Sequence, residues 1–159
     1  EANHFTVYLP AYQPEFLTHL FKKHAEFEWH IFSPQIKSYQ RNSNIYLNPT
    51  SKGAFLESLS SCQGVITAGG FELCAESMYL GKKLFSIPIA NQYEQLCNAA
   101  ALRELGVMTA PKIGDRFHVQ LTRWIEDMQP VKLEHHANVD EILHYILQFS
   151  NNSVQSQVA

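Results

Sequence analysis

The sequence predicts an α/β fold, a parallel sheet with helices on both of its faces. Three observations carry this. Short apolar, β-prone runs alternate with longer segments of about ten residues. In the longer segments the apolar positions recur at helical spacing. Proline or glycine stands at most of the junctions. No linker and no internal repeat divides the chain. Residues 1–149 therefore read as one domain, and the polar tail 150–159 is expected to be mobile.

The elements follow in order. Phe5–Leu9 reads as a strand ended by Pro10, and Pro14 suits the first turn of a helix. That helix carries Phe16, Leu17, Leu20 and Phe21 on one face. Trp29–Phe32 and Ile45–Leu47 read as strands, each stopped by a proline dipeptide. Thr50 or Ser51 can cap the next helix, with Phe55, Leu56 and Leu59 inward. Val65–Thr67 is a strand, Phe71–Leu80 a helix and Leu84–Ile87 a strand. Glu94–Leu105 is a helix closed by Gly106 in the left-handed position, and Val107–Thr109 is a short edge strand. Phe117, Leu121, Trp124, Ile125 and Met128 form the core stripe of a further helix. Asn138 and Glu141 resemble a capping box that opens a last helix.

Composition excludes several classes. The chain has 159 residues, 45% apolar and 17% charged, which suits a globular domain with a real core. A net charge of −3 argues against non-specific nucleic-acid binding. No apolar run approaches the roughly 20 residues of a membrane span, and no signal peptide is visible. Residue 1 is Glu rather than Met, which suggests a piece of a longer protein. Cys62, Cys74 and Cys97 match no zinc spacing and read as reduced core thiols of a cytoplasmic protein. His135 and His136 sit beside Glu134, but neighbours in an extended loop point apart, so no metal site is expected. His118 and His144 read as surface or core-edge helix residues.

Ligands of parallel sheets bind beyond the carboxyl ends of the strands. Gly69-Gly70 lies at such an end, between a strand and a helix. The first amides of that helix have no partner within it, and with the macrodipole they suit an anion such as a diphosphate. A tight turn would use the same glycines for their dihedrals alone. Glu72 and Glu76 share one face of the helix, and a carboxylate one turn in can accept two hydrogen bonds from a ribose diol. A solvated glutamate would satisfy the same spacing. Glu94-Gln95 opens the next helix, where a carboxylate and an amide suit vicinal sugar hydroxyls as well as plain solvent. Lys82-Lys83 reads as a basic pair on the ligand side, placed there by a helix end.

Gly69-Gly70, Glu76 five residues before Gly81, Pro88 seven after it, then Glu94-Gln95 and Asn98-Ala99, together resemble the donor-binding signature of GT-B glycosyltransferases. The MurG-like (family 28) and UDP-glycosyltransferase groups are the most similar. The strand and helix order from Phe5 to about Leu147 is similar to the Rossmann-like C-terminal half of that fold.

The resemblance implies a donor domain that binds a nucleoside-diphosphate sugar, a UDP-sugar by preference, for transfer to an acceptor hydroxyl. The backbone of Gly69, Gly70 and Phe71 would meet the diphosphate, Glu76 the ribose, and Gln92, Glu94 and Gln95 the transferred sugar. The nucleobase would lie near Ser33, Pro34, Asn48 and Lys52. The catalytic base and acceptor site would come from a missing N-terminal half or a partner subunit, so this hexosyltransferase piece alone would be inactive. That half would also bring any membrane association. Neither cofactor nor metal is expected, since a helix start does what a divalent ion does elsewhere. The alternatives are a stand-alone donor subunit, a sugar-nucleotide epimerase and a non-catalytic nucleotide-binding module. Departures from the signature are Ala68 for a histidine, Leu73 for Ser or Thr, and Glu72 for Asn. The loop Pro10-Ala11-Tyr12-Gln13 lacks the glycine-rich turn of the MurG type. A solvated Glu72 should repel a diphosphate by about 1 kcal/mol.

Overall fold

The computed structural model describes residues 3–131 and 143. Its strands are β1 (His4–Tyr8), β2 (Glu28–Ser33), β3 (Gln40–Asn42), β4 (Ile45–Pro49), β5 (Gly64–Thr67), β6 (Lys83–Ser86) and β7 (Met108–Thr109). Its helices are α1 (Pro14–Phe21), α2 (Lys52–Ser61), α3 (Phe71–Tyr79), α4 (Tyr93–Glu104) and α5 (Phe117–Glu126). The strands form one sheet in the order β3-β4-β2-β1-β5-β6-β7. Every pairing is parallel except that of β3 with β4. This is the Rossmann-like α/β architecture. The expectations at Asn138, Glu141, His135, His136, Glu134 and His144, and for the tail 150–159, lie outside the described residues.

Strand β1 shows how the sequence builds two layers. Its side chains alternate between faces. Phe5, Val7 and Leu9 enter a core with Leu17 and Phe21 of α1, Trp29 and Ile31 of β2, and Phe117, Leu121 and Trp124 of α5. His4, Thr6 and Tyr8 point to the other face. There α2, α3 and α4 share a smaller cluster of Leu59, Cys62, Val65, Cys74, Leu84, Leu102 and Val107.

Several details differ from what the sequence predicts. The hairpin arm β3 is exposed and polar, and it pairs with β4 through a two-residue turn with Ser43 at φ 58°. Leu56, Phe16 and Phe71 are exposed rather than inward. Cys62 and Cys74 are buried thiols, but Cys97 is exposed on α4. Lys82 and Lys83 stand at the amino end of β6, the edge away from the ligand side. Lys82 is buried, and its Nζ donates to the carbonyls of Ser60 and Cys62, both at 2.8 Å. It thus binds carbonyls at the end of α2 that have no partner within the helix. Lys82→Met should cost about 1–3 kcal/mol by orphaning them. Chemical denaturation checks this, and an unchanged midpoint would refute the tether.

Candidate functional site

The chain runs outward from β1 to β2 and β4, then returns to the other side of β1 as β5. The switch point therefore lies between β1 and β5, where open α/β sheets place their ligands. A cavity of about 290 Å³ occupies this place, near the lower end of small-molecule sites. It is lined by Tyr8 from the end of β1, Thr50, Ser51, Lys52 and Phe55 around the start of α2, and Glu72, Leu73 and Glu76 from α3.

The floor is aromatic. Phe55 meets Tyr8 edge-on at 5.8 Å and Phe32 edge-on at 5.0 Å, so α2 is registered on the sheet by its rings. The wall is acidic. Glu72 and Glu76 sit four apart on α3 and both reach the cavity. Among the described residues neither carboxylate has a hydrogen bond or ion pair within the protein. Both are exposed and ready to accept hydrogen bonds from a ligand. Lys52 is the cavity's basic residue. Ser51 holds the N-cap position of α2, but its side chain makes no capping bond.

The Gly69-Gly70 loop is held from two sides. Gly69 has φ 83°, a left-handed conformation, and a Cβ there would lie 2.7 Å from Ser86 Oγ. Its carbonyl accepts a 3.1 Å hydrogen bond from Asn98 Nδ2 on α4. Gly70 is the N-cap of α3, with no side chain to cover the helix start and open space where a Cβ would stand. The next loop is braced similarly: the Ile89 N–H donates to Gln95 Oε1 at 2.9 Å, and Asn91 takes φ 66°. Gln92 is the N-cap of α4, with Glu94 in the first turn.

The residues named from sequence thus divide. Glu76 and Lys52 meet in the cavity. Gly69, Gly70, Phe71, Gln92, Glu94 and Gln95 form a second set along the same sheet edge, at the starts of α3 and α4, and do not line the cavity. Ser33, Pro34 and Asn48 lie at the right ends of β2 and β4 but outside its lining. Ser33 is buried, and its Oγ accepts the Gln35 N–H, while Asn48 Nδ2 donates to the Tyr46 carbonyl. Tyr8 and Phe55 read in the sequence as ordinary strand and core residues. The signal that finds Tyr8 is positional: it stands near the carboxyl end of the first strand, where such sheets bind their ligands.

The family model for glycosyl transferase family 1 matches residues 1–128. The chain belongs to that family. No curated protein matches it in sequence. Among solved structures, this family 1 domain is similar in fold to the glycosyltransferase SnogD from Streptomyces nogalater, with a TM-score of 0.58 and 20% identity over 79% of this chain and 34% of that one. A kitacinnamycin glycotransferase gives 0.59 and 18%, over 79% of this chain and 36% of that one. The chain thus spans about a third of the length of these enzymes. A solution structure of ALG13 gives 0.58 and 14%, over 85% of this chain and 92% of that one. These neighbours share its Rossmann-like α/β fold. Among the described residues no helix is long and apolar enough to cross a membrane. No described group of three or more His, Cys, Asp or Glu is placed to hold a metal ion.

Proposed function

We propose that this family 1 domain is the donor half of a glycosyltransferase that moves a sugar from a nucleoside-diphosphate sugar, a UDP-sugar by preference, to an acceptor hydroxyl. The observation that carries this is the cavity at the switch point. There a carboxylate without a protein partner among the described residues, Glu76, lines the same cavity as the aromatic rings of Tyr8 and Phe55. A nucleoside offers what that lining lacks: a flat base for the rings and a diol for the carboxylate. The diphosphate would run along the uncapped start of α3 at Gly70 and Phe71, whose amides and dipole stabilise developing negative charge without a metal. The sugar would then reach Gln92 and Glu94. Gln95 keeps its amide nitrogen for the sugar while its oxygen braces the loop.

In this reading the acceptor site and catalytic base belong to another part of the enzyme, and the piece alone transfers nothing. That part is either the rest of one longer chain or a separate subunit. In SnogD the same fold occupies about a third of one chain, and in ALG13 nearly the whole of one.

Titration calorimetry with UDP-, GDP- and TDP-sugars tests the reading. One base should stand out. Glu76→Ala should weaken that ligand about 10- to 100-fold, the loss of two charge-assisted hydrogen bonds. An unchanged binding constant would remove the ribose assignment.

A further inference from the structure

Beneath α2, on the covered face of the sheet, lies a polar cluster that donor binding does not use. His4 of β1 and His30 of β2 stack with ring centroids 4.0 Å apart and planes 16° from parallel. Both turn toward Ser58 of α2. His4 Nε2 donates to the Ser58 carbonyl at 3.2 Å, and His30 Nδ1 lies 3.2 Å from Ser58 Oγ. Thr6 Oγ1 lies 2.7 Å from that same hydroxyl. A serine hydroxyl has one proton to give. His4 Nε2, whose proton points to the carbonyl, also lies 3.3 Å from Ser58 Oγ. Thr6 can donate to Ser58 and Ser58 to His30, or His30 can donate to Ser58 and Ser58 to Thr6. Both arrangements leave His30 Nε2 buried without a partner.

The surroundings hold the pair neutral. Glu28 of β2 is the nearest acid, but its Oε1 accepts the Tyr46 hydroxyl at 2.7 Å. Tyr46 in turn lies under the Arg41 guanidinium at 4.7 Å. From the turn before β6, Lys82 adds positive charge, and the Cys62 thiol is pushed up by burial. The charged residues on α2, Lys52 and Glu57, are exposed. Burial, then the neighbouring His4, pushes His30 down to about 4. Burial likewise lowers His4, against the Ser58 carbonyl and Glu28, which raise it.

We propose that the stacked His4–His30 pair is a proton-operated latch on α2: a proton taken up by the pair places an imidazolium against the second ring with the buried His30 Nε2 still lacking an acceptor, and lifting α2, the helix that forms one wall of the candidate nucleotide cavity, lets water reach that charge. Its role in regulating donor binding rests on the functional reading above; the latch itself does not. The sign follows from linkage. A histidine held below its ordinary value when docked takes up its proton more readily once α2 is released. Docking is therefore complete above the ordinary histidine value of about 6.5 and is lost as pH falls toward about 4. With those two values, release becomes about thirtyfold easier at pH 5 than at pH 7.5.

Hydrogen exchange on the full chain tests this, with protection factors referred to intrinsic rates at about pH 7.5 and pH 5. The α2 amides should lose protection by about thirtyfold, while those of α1, on the opposite face, change less than threefold. His30→Phe keeps a ring in the stack but takes no proton, and its response should shrink to that of His4 alone. If that variant does not fold, the comparison of α2 with α1 in the natural sequence decides. Equal α2 protection at both pH values, or loss in step with α1, would overturn the latch. UDP, added at pH 7.5, separates the two ideas. Protection of α2 by UDP without a pH response keeps the site and discards the latch. A pH response with no effect of UDP keeps the latch and discards the site.

Discussion

Trp29→Ala is expected to destabilise the domain by about 3–5 kcal/mol. Among the described residues no side chain is more completely enclosed. Trp29 is fully buried, stacked at 4.4 Å on Phe21 and 5.1 Å on Phe5, with Phe27 and His24 at its edges. Its indole therefore joins β1, β2 and α1, and truncation leaves a void that a sheet fixed by parallel pairing on both sides cannot close. The lost hydrogen bond is a smaller matter. Trp29 Nε1 donates to the His24 carbonyl at 3.1 Å, but Asn44 Nδ2 also donates there, so the carbonyl keeps a partner. Trp29→Phe should then cost clearly less than alanine, because most of the packing returns. Domains of this kind have about 5–15 kcal/mol in total. The alanine variant should therefore melt about 6–20 °C lower. A loss below 1 kcal/mol by denaturant titration would mean that this core relaxes far more easily than its aromatic stacking implies.

Trp29 is legible in the sequence because it sits in a run whose alternation places it inward. The same is true of the parallel sheet: the period of two in β1 and β2, and the glycine and proline stops, define strands without knowledge of their neighbours. What the sequence hides depends on neighbours. Strand β3, Gln40-Arg41-Asn42, has no apolar face and exists only because β4 offers an edge. Phe71 reads as core by its spacing with Cys74 and Met78, yet it falls at the helix start, beyond the sheet, where nothing described covers it. Nothing in the sequence singles out Ser58, but two histidines and a threonine on the sheet make it an anchor. The site divides in the same way. Glu76 is visible as a carboxylate on a helix that follows paired glycines. Tyr8 and Phe55 are not, since an aromatic ring that lines a cavity and one that fills a core look identical in one dimension.

Gly69→Ala should be the most damaging single change at the sheet edge, about 2–5 kcal/mol, by adding two penalties at one atom. The backbone there is left-handed, which costs about 1–2 kcal/mol for a residue with a Cβ. That Cβ would also stand 2.7 Å from Ser86 Oγ, an overlap worth about 1–3 kcal/mol to relieve. The two are separable, because Ser86 Oγ is buried without a hydrogen-bond partner. Ser86→Ala alone should be close to neutral, since it removes an unsatisfied hydroxyl. In that background Gly69→Ala should recover the steric share and retain the dihedral one. If the double variant is no better than Gly69→Ala, the overlap is not part of the cost. The consequence for function runs through Asn98, which holds the Gly69 carbonyl. Moving that carbonyl moves the start of α3, and with it the amides proposed to meet the diphosphate. UDP-sugar binding should therefore fall more than tenfold in Gly69→Ala even well below its melting temperature. Asn98→Ala, which frees the loop without strain, should fall between that variant and the natural sequence. Equal binding by all three would detach this loop from the site while leaving its part in the fold untouched.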